Sequence, residues 1–252
     1  MSALARLLDL IVPSTCAGCE LPGPIICSAC ADALRPGTGI PCATCGHPWP
    51  VAVARCAECP APLLTVRHLC RYDDTARAVI SSLKDRGRTA VAPELARLMA
   101  AAIPAPPEGV PLVPVPLADR RRRRRGFNQA ELLARELGRL WGRPVHAPLR
   151  RVDGGPPQRG ASRSDRTRQV RGAFSVDASA PVTRGAAILV DDVLTTGATL
   201  GACARALRRG GWARVGAVVV ARAEATADGS AVSDGDRPPE CGWSPVPDAG
   251  TI

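Results

Sequence analysis

Four Cys-x-x-Cys pairs stand in series near the start of the chain: Cys16/Cys19, Cys27/Cys30, Cys42/Cys45 and Cys56/Cys59. A turn across such a pair aims two sulfurs at one point, and two turns complete a tetrahedral set that suits zinc. Eight thiols therefore predict two closed four-cysteine sites. Both are structural, because no coordination position is left for water. One zinc beside a decayed second site is the alternative. Pairing neighbouring turns (Cys16, Cys19, Cys27 and Cys30; then Cys42, Cys45, Cys56 and Cys59) closes the shorter loops at the lower entropic cost. An interleaved pairing stays open. A thioredoxin-like redox pair needs one such turn beside a βαβ pattern, which four in series do not offer.

The surrounding sequence supports a reducing compartment. Residues 1–12 are apolar but broken by Arg6 and Asp9, with no basic start before an apolar block. They read as a short helix rather than an export signal, so a disulfide framework is set aside and a cytoplasmic protein is expected. No run reaches the roughly 18 apolar residues of a membrane span. Nine of the eleven cysteines fall within the first 70 residues. His47, just after Cys45-Gly46, is expected on the surface of a knuckle. His68 and Cys70 are read as packing residues, Cys203 as a helix-face residue and Cys241 as a tail residue.

Charge divides the chain in the same places. Residues 1–70 are net zero, residues 71–222 carry net +15, and residues 223–252 carry net −5. The middle should attract polyanions, either nucleic acid or a highly phosphorylated small molecule. The last thirty residues are polar and aperiodic and read as an acidic disordered tail. Domain boundaries follow: 1–70, N-terminal helix and double zinc ribbon; 71–222, the main domain; 223–252, the tail. Only seven aromatic residues are present, which argues against a surface built of stacking platforms.

Within the main domain the hydrophobic pattern alternates. Helices are predicted over 75–84, where Ala76, Val79, Ile80 and Leu83 form a stripe, and over 93–102. Another is predicted over 128–141, with Leu133, Leu137, Leu140 and Trp141 on one face, and a last one over 200–209. Apolar strands are predicted at 110–116, 186–190 and 215–220. Strands alternating with helices of this length imply an α/β fold, a mainly parallel sheet with helices on both faces. Ligands of such sheets sit beyond the carboxyl ends of the strands, here just after Val115 and just after Val190.

After Val190 come Asp191-Asp192-Val193-Leu194 and then Thr195, Thr196, Gly197, Ala198 and Thr199. Two adjacent carboxylates end a buried strand, and a small, hydroxyl-rich turn enters a helix. Free backbone N–H groups, the positive helix end and a glycine for close approach make a monophosphate cradle. The carboxylates suit sugar hydroxyls or waters on magnesium.

Residues 187–199, AILVDDVLTTGAT, resemble at every position the signature of type I phosphoribosyltransferases, which bind phosphoribosyl pyrophosphate (PRPP) with magnesium. The resemblance implies that Asp191 and Asp192 hold the ribose 2′- and 3′-hydroxyls as the catalytic acids. It places the 5-phosphate on Thr195, Thr196, Gly197, Ala198 and Thr199. A wider stretch, roughly residues 5–222, resembles the ComF family of competence proteins. That likeness rests on the cysteine ribbon, Lys84-Asp85-Arg86-Gly87, Val113-Pro114-Val115-Pro116, Arg124-Arg125-Gly126-Phe127-Asn128-Gln129, Pro157-Gln158-Arg159-Gly160 and Val170-Arg171-Gly172-Ala173-Phe174. It implies a cytosolic protein linked to DNA uptake, with PRPP as ligand and single-stranded DNA and the competence machinery as partners. Asp85 stands where the family is expected to carry an aromatic residue, and Gln169 where it often carries Asn.

Val115 and Pro116 then fit the loop that meets the pyrophosphate. Lys84 is the only lysine among 33 basic residues, which suggests a place where a compact ammonium is needed. The basic run 120–125 reads either as a solvated loop capped by Gly126 or as a binder of pyrophosphate or nucleic-acid backbone. Arg124 and Arg125 are the members nearest the site. The stretch 150–171 adds seven arginines and reads as a loop closing over PRPP or a track for single strands. Two functions follow: transfer of a phosphoribosyl group to an acceptor, or PRPP-responsive handling of single-stranded DNA without turnover.

Overall fold

A computed structural model of the 252-residue chain describes residues 14–36, 39–151, 173–177 and 185–223. The expected N-terminal helix, the greater part of the arginine-rich 150–171 stretch, Cys241 and nearly all of the acidic tail lie outside the described residues.

The sheet has four strands: β3 (Val66–Arg71), β4 (Leu112–Pro114), β7 (Ala186–Leu194) and β8 (Arg214–Arg222). Their order is β3-β8-β7-β4, and every pairing is parallel. Two small antiparallel pairs stand apart: β1 (Ile40–Pro41) with β2 (Pro48–Trp49), and β5 (Leu149–Arg151) with β6 (Phe174–Val176). Among the described residues six helices accompany them: α1 (Ser28–Ala33), α2 (Asp74–Lys84), α3 (Val91–Ala102), α4 (Asp119–Arg125), α5 (Gln129–Trp141) and α6 (Ala198–Arg209). Among the described residues no helix is long and apolar enough to cross a membrane.

The period-2 alternation of a strand sorts β7 onto both faces. Ile188 and Val190 enter one core with α2, α3 and α5, through Val79, Leu95 and Leu137. Ala187 and Leu189 enter the other with α6, β5 and β6, through Leu207, Leu149 and Phe174. The helices after β4 and after β7 thus lie on opposite faces, which opens a crevice between those two strand ends. The predicted α/β layers are the observed ones.

Local chemistry fixes the helix ends. The Asp73 carboxylate accepts from the Ala76 N–H at 2.9 Å, and Asn128 Oδ1 accepts from Ala130 N at 3.1 Å, each satisfying an amide the helix leaves unpaired. Gly142 closes α5 with φ 63°.

Four expectations are corrected. The run Asp119–Arg125 is a short helix rather than a loop, since arginine is a good helix former and Gly126 (φ 79°) ends it. Leu140 is 37% exposed and lies off the core face, although Trp141 beyond it still packs against the core. His47 is buried at 8%: the turn through Gly46 (φ 68°) packs on His68 of β3, close enough that the charge of His47 bears on His68. Residues 66–70, assigned with the ribbon, are an edge strand of the main sheet. The sequence reading had no strand there.

Candidate active site

Beyond Val190, β7 pairs only with β8, because β4 ends opposite Val190 at Pro114. The open edge carries Asp191, Asp192, Val193 and Leu194. Alternation sends Asp191 toward the α6 face and Asp192 toward the α2 face. Asp192 is buried, and Lys84 at the end of α2 reaches it, Nζ to Oδ2 at 2.9 Å. The lone lysine therefore meets a site carboxylate. Burial pushes the Asp191 carboxyl well above the ordinary carboxylate range, and the charge of Asp192 adds to that. The Asp192 N–H, 2.9 Å from Asp191 Oδ1, pulls the other way, as does Lys84. Two adjacent acids, one half-buried and one buried beside a single lysine, form a site that suits a cation or donor hydroxyls.

The turn follows at once. Thr195 and Thr196 are exposed, Gly197 is buried with φ 73°, and Ala198 and Thr199 begin α6 half-buried. Thr196 Oγ1 accepts from Ala198 N at 3.4 Å. Only glycine serves at position 197, both for its left-handed backbone and because an added Cβ would collide with Pro60. The neighbouring Gly201 is equally constrained, since a Cβ there would sit 2.6 Å from the Ala61 carbonyl. The segment Cys59-Pro60-Ala61 thus packs directly on the turn.

Across the crevice, Val115 N donates to the Val190 carbonyl at 3.0 Å, and Asn128 Nδ2 donates to the Val115 carbonyl at 3.0 Å. Val115 is buried and Pro116 half-buried at the mouth of the following loop. Arg125 turns inward, its side chain 10% exposed, to pair with Asp85 at 2.9 Å. It also donates to Gln129 Oε1 at 3.4 Å. Arg124 stays exposed with Arg120, Arg121, Arg122 and Arg123. The structure therefore gathers Lys84, Asp191, Asp192, Val115 and the turn around one crevice, while Arg124 lies on the outer face of α4.

The eight cysteines form two groups, Cys16, Cys19, Cys27 and Cys30, and Cys42, Cys45, Cys56 and Cys59, with each group's sulfurs within 4.8 Å of one another. The sequential pairing is the observed one. Four thiols this close fit one tetrahedral dication. Each group has a thiol drawn down and a thiol pushed up. Cys16 lies at about 6, where burial is outweighed by backbone N–H groups led by Cys27, while burial pushes Cys30 to about 12. Cys42 is lowered by hydrogen bonds from Cys45 and Cys59, and burial pushes Cys56 up to about 12. Four thiolates cannot share such a space without a cation to bind them.

Sequence reasoning missed the contact of Pro60 on Gly197, the Arg125–Asp85 pair and Arg222. Arg222 is a buried guanidinium at the end of β8 that donates to carbonyls of the second cysteine group. The departure at Asp85 was the one available signal.

Comparison with known proteins supplies the class first. Residues 86–234 match the family model described as phosphoribosyl transferase domain. Over 226 residues the chain is 34% identical to "DNA utilization protein YhgH" of Salmonella typhi, covering 82% of this chain and 96% of that protein. It is 42% identical over 102 residues to "Competence protein F" of Haemophilus influenzae, covering 39% of this chain and 44% of that protein. It is 33% identical over 144 residues to "Competence protein ComFC" of Bacillus subtilis, covering 56% and 57% respectively. The chain belongs to the ComF family of proteins with a phosphoribosyltransferase domain.

Proposed function

We propose that this protein binds PRPP with magnesium in the β4–β7 crevice and transfers its phosphoribosyl group to an acceptor in the service of DNA uptake, in the cytoplasm. One observation carries the reading: two consecutive acids on the open edge of β7, Asp191 half-buried and Asp192 buried, lead straight into a turn with a left-handed glycine at a helix start. Thr195, Thr196 and the backbone N–H groups of Gly197, Ala198 and Thr199 hold the 5-phosphate. Asp191 and Asp192 orient the ribose hydroxyls, and Val115 and Pro116 border the pyrophosphate. Lys84 beside Asp192 and Arg125 beside Asp85 are the basic residues this reading assigns to the ligand, whereas Arg124, expected with them, lies on the outer face of α4. Magnesium bound with the ligand would neutralise charge on the pyrophosphate, and Asp191 and Asp192 are the residues that would hold it. Transfer then asks little covalent chemistry of the protein beyond orientation and charge. Zinc in both cysteine groups holds the ribbon.

The test is pyrophosphate release from PRPP and magnesium against a panel of nucleobases and nucleic acids. Release that depends on an acceptor, and is lost in Asp191→Asn/Asp192→Asn, supports transfer. Release with none of the panel, despite intact PRPP binding, contradicts turnover.

A second reading is favoured by α4, which presents five exposed arginines in a row. Single strands bound there by their backbones give a protein that handles DNA in response to PRPP without turnover. Each neutralised phosphate contributes about 0.7 to the log–log salt slope of single-strand binding. Arg121→Ser/Arg122→Ser/Arg123→Ser should flatten that slope by about 2. An unchanged slope removes α4 from the DNA contact.

A further inference from the structure

Arg222 closes β8 with its guanidinium almost wholly out of solvent, at 4% exposure. Nη1 donates to the Cys45 carbonyl at 3.2 Å and Nη2 to the Glu58 carbonyl at 3.0 Å. Its Nε is buried without a hydrogen-bond partner. Among the described residues no carboxylate forms an ion pair with it. The cation also bears on His68, adding to the burial that holds this imidazole at about 4 and neutral. A buried guanidinium answered only by carbonyl dipoles is among the most costly arrangements a fold can keep.

Both carbonyls belong to the second cysteine group. Cys45 closes its first knuckle, and Glu58 lies between Cys56 and Cys59 in its second. Four thiolates around one zinc dication carry a net charge of −2, and three of these four cysteines are buried. Among the described residues the buried cation has no ion-pair partner, and a zinc–tetrathiolate in the group it touches would carry the opposite charge; Arg67, only half-buried, also reaches that group, at the Ala43 and Thr44 carbonyls.

We propose that Arg222 is the counter-charge of the second zinc–tetrathiolate centre, holding the two knuckles together by its hydrogen bonds and lowering the cost of four adjacent thiolates. The assignment rests on the zinc reading above. It makes Arg222 a positioning residue for the metal rather than a ligand. Among the described residues no comparably buried arginine touches the first group. Arg86 is spent on Glu20, and Arg88 is half-buried and donates to the Thr15 carbonyl and Ser82. There Cys19 is exposed, so water can screen the charge. The effect should therefore fall on one zinc of the two.

The experiment uses the full chain, with zinc content measured first and release to excess EDTA followed for wild type, Arg222→Gln and Arg222→Lys. Circular dichroism checks the fold of each. Glutamine keeps an amide donor and loses the charge; lysine keeps the charge. Loss of an outer-sphere partner commonly weakens a metal site by about 10- to 100-fold. Arg222→Gln should release one zinc at least about tenfold faster with the other unchanged. Arg222→Lys should stay nearer wild type than the glutamine variant. Two zincs that leave Arg222→Gln at the wild-type rates overturn the assignment. So does a lysine variant as labile as the glutamine one, since that makes Arg222 a clamp and not a counter-charge. If the glutamine variant does not fold, the lysine variant decides: retention of both zincs supports the assignment, and loss of the second contradicts it. Wild type without zinc overturns the zinc reading and this assignment with it, whereas a zinc-replete wild type with an indifferent Arg222→Gln overturns this assignment alone.

Discussion

The two cysteine groups offer the same four ligands at similar spacing, yet they hold different parts of the molecule. The first packs against α2: a Cβ on Gly18 would meet Cys30 Sγ at 2.7 Å and Val79 at 3.4 Å. Its flanks reach the loop that follows Lys84, through Arg86 on Glu20 and Arg88 on the Thr15 carbonyl. The second is part of the α6-side core, where Cys42, Cys45 and Cys56 pack with Leu63, Leu194 and Leu200. Pro60 presses on Gly197 and Arg222 ties both knuckles to the sheet. The same four-cysteine set thus staples the chain to α2 in one place and walls the Gly197 turn in the other. Burial of the surroundings, not the ligand set, decides the role.

Breaking each group separately should give the largest contrast. Cys45→Ser/Cys59→Ser should remove one zinc equivalent and abolish a cooperative thermal transition, because structural zinc carries folding energy and this group lies in the core. Cys19→Ser/Cys27→Ser should also remove one equivalent but keep a cooperative transition. Equal losses of Tm in the two variants would erase the distinction.

Gly197→Ala probes the contact between ribbon and turn. A Cβ at φ 73° and in collision with Pro60 should cost about 1–3 kcal/mol and weaken PRPP binding at least tenfold. A fully stable variant with unchanged affinity would mean that Pro60 does not shape the turn.

His68 lies under the second group alone. Burial, aided by Arg222, lowers its pKa from 6.5 to about 4. Its neutral form is kept in the fold while the unfolded chain takes up a proton, so it favours folding above pH 6.5 and that contribution fades as pH falls toward about 4. His68→Phe should recover up to about 3 kcal/mol of the wild type's acid-limb loss, seen in denaturant midpoints between those two pH values. Parallel acid limbs would show that His68 titrates normally.

On the side of the first group, Asp85 holds Arg125 at 2.9 Å and competes with any phosphate for it. Asp85→Asn should raise the affinity for inorganic pyrophosphate about three- to tenfold, a gain of about 1 kcal/mol for an exposed pair. Unchanged affinity would place Arg125 outside the ligand's reach.

The β7 strand, its acids and the following turn were legible because a buried apolar run, two charges and a small-residue turn are all local signals. So were the α2 stripe and the sequential cysteine pairing, which loop entropy favours. Residues 66–71 were not legible as a strand. Cysteine spacing dominates that region, and its burial lacks clean alternation. The roles of Pro60 and Arg222 were out of reach for a different reason: each depends on a partner more than 130 residues away, Gly197 in one case and Cys45 in the other. The arginine run misled because charge density suggested a loop, whereas Asp119 and Gly126 marked out a short helix.

The central claim is that the acids of β7 and the turn after them bind PRPP with magnesium. Calorimetric titration of zinc-replete protein tests it most directly, comparing wild type with Asp191→Asn/Asp192→Asn. Wild type should bind only when magnesium is present and should be competed by ribose 5-phosphate. The double variant should show no heat of binding while its Tm stays level or rises, since burial already makes the Asp191 charge unfavourable to the fold at neutral pH. Unchanged PRPP affinity in that folded variant would contradict the account.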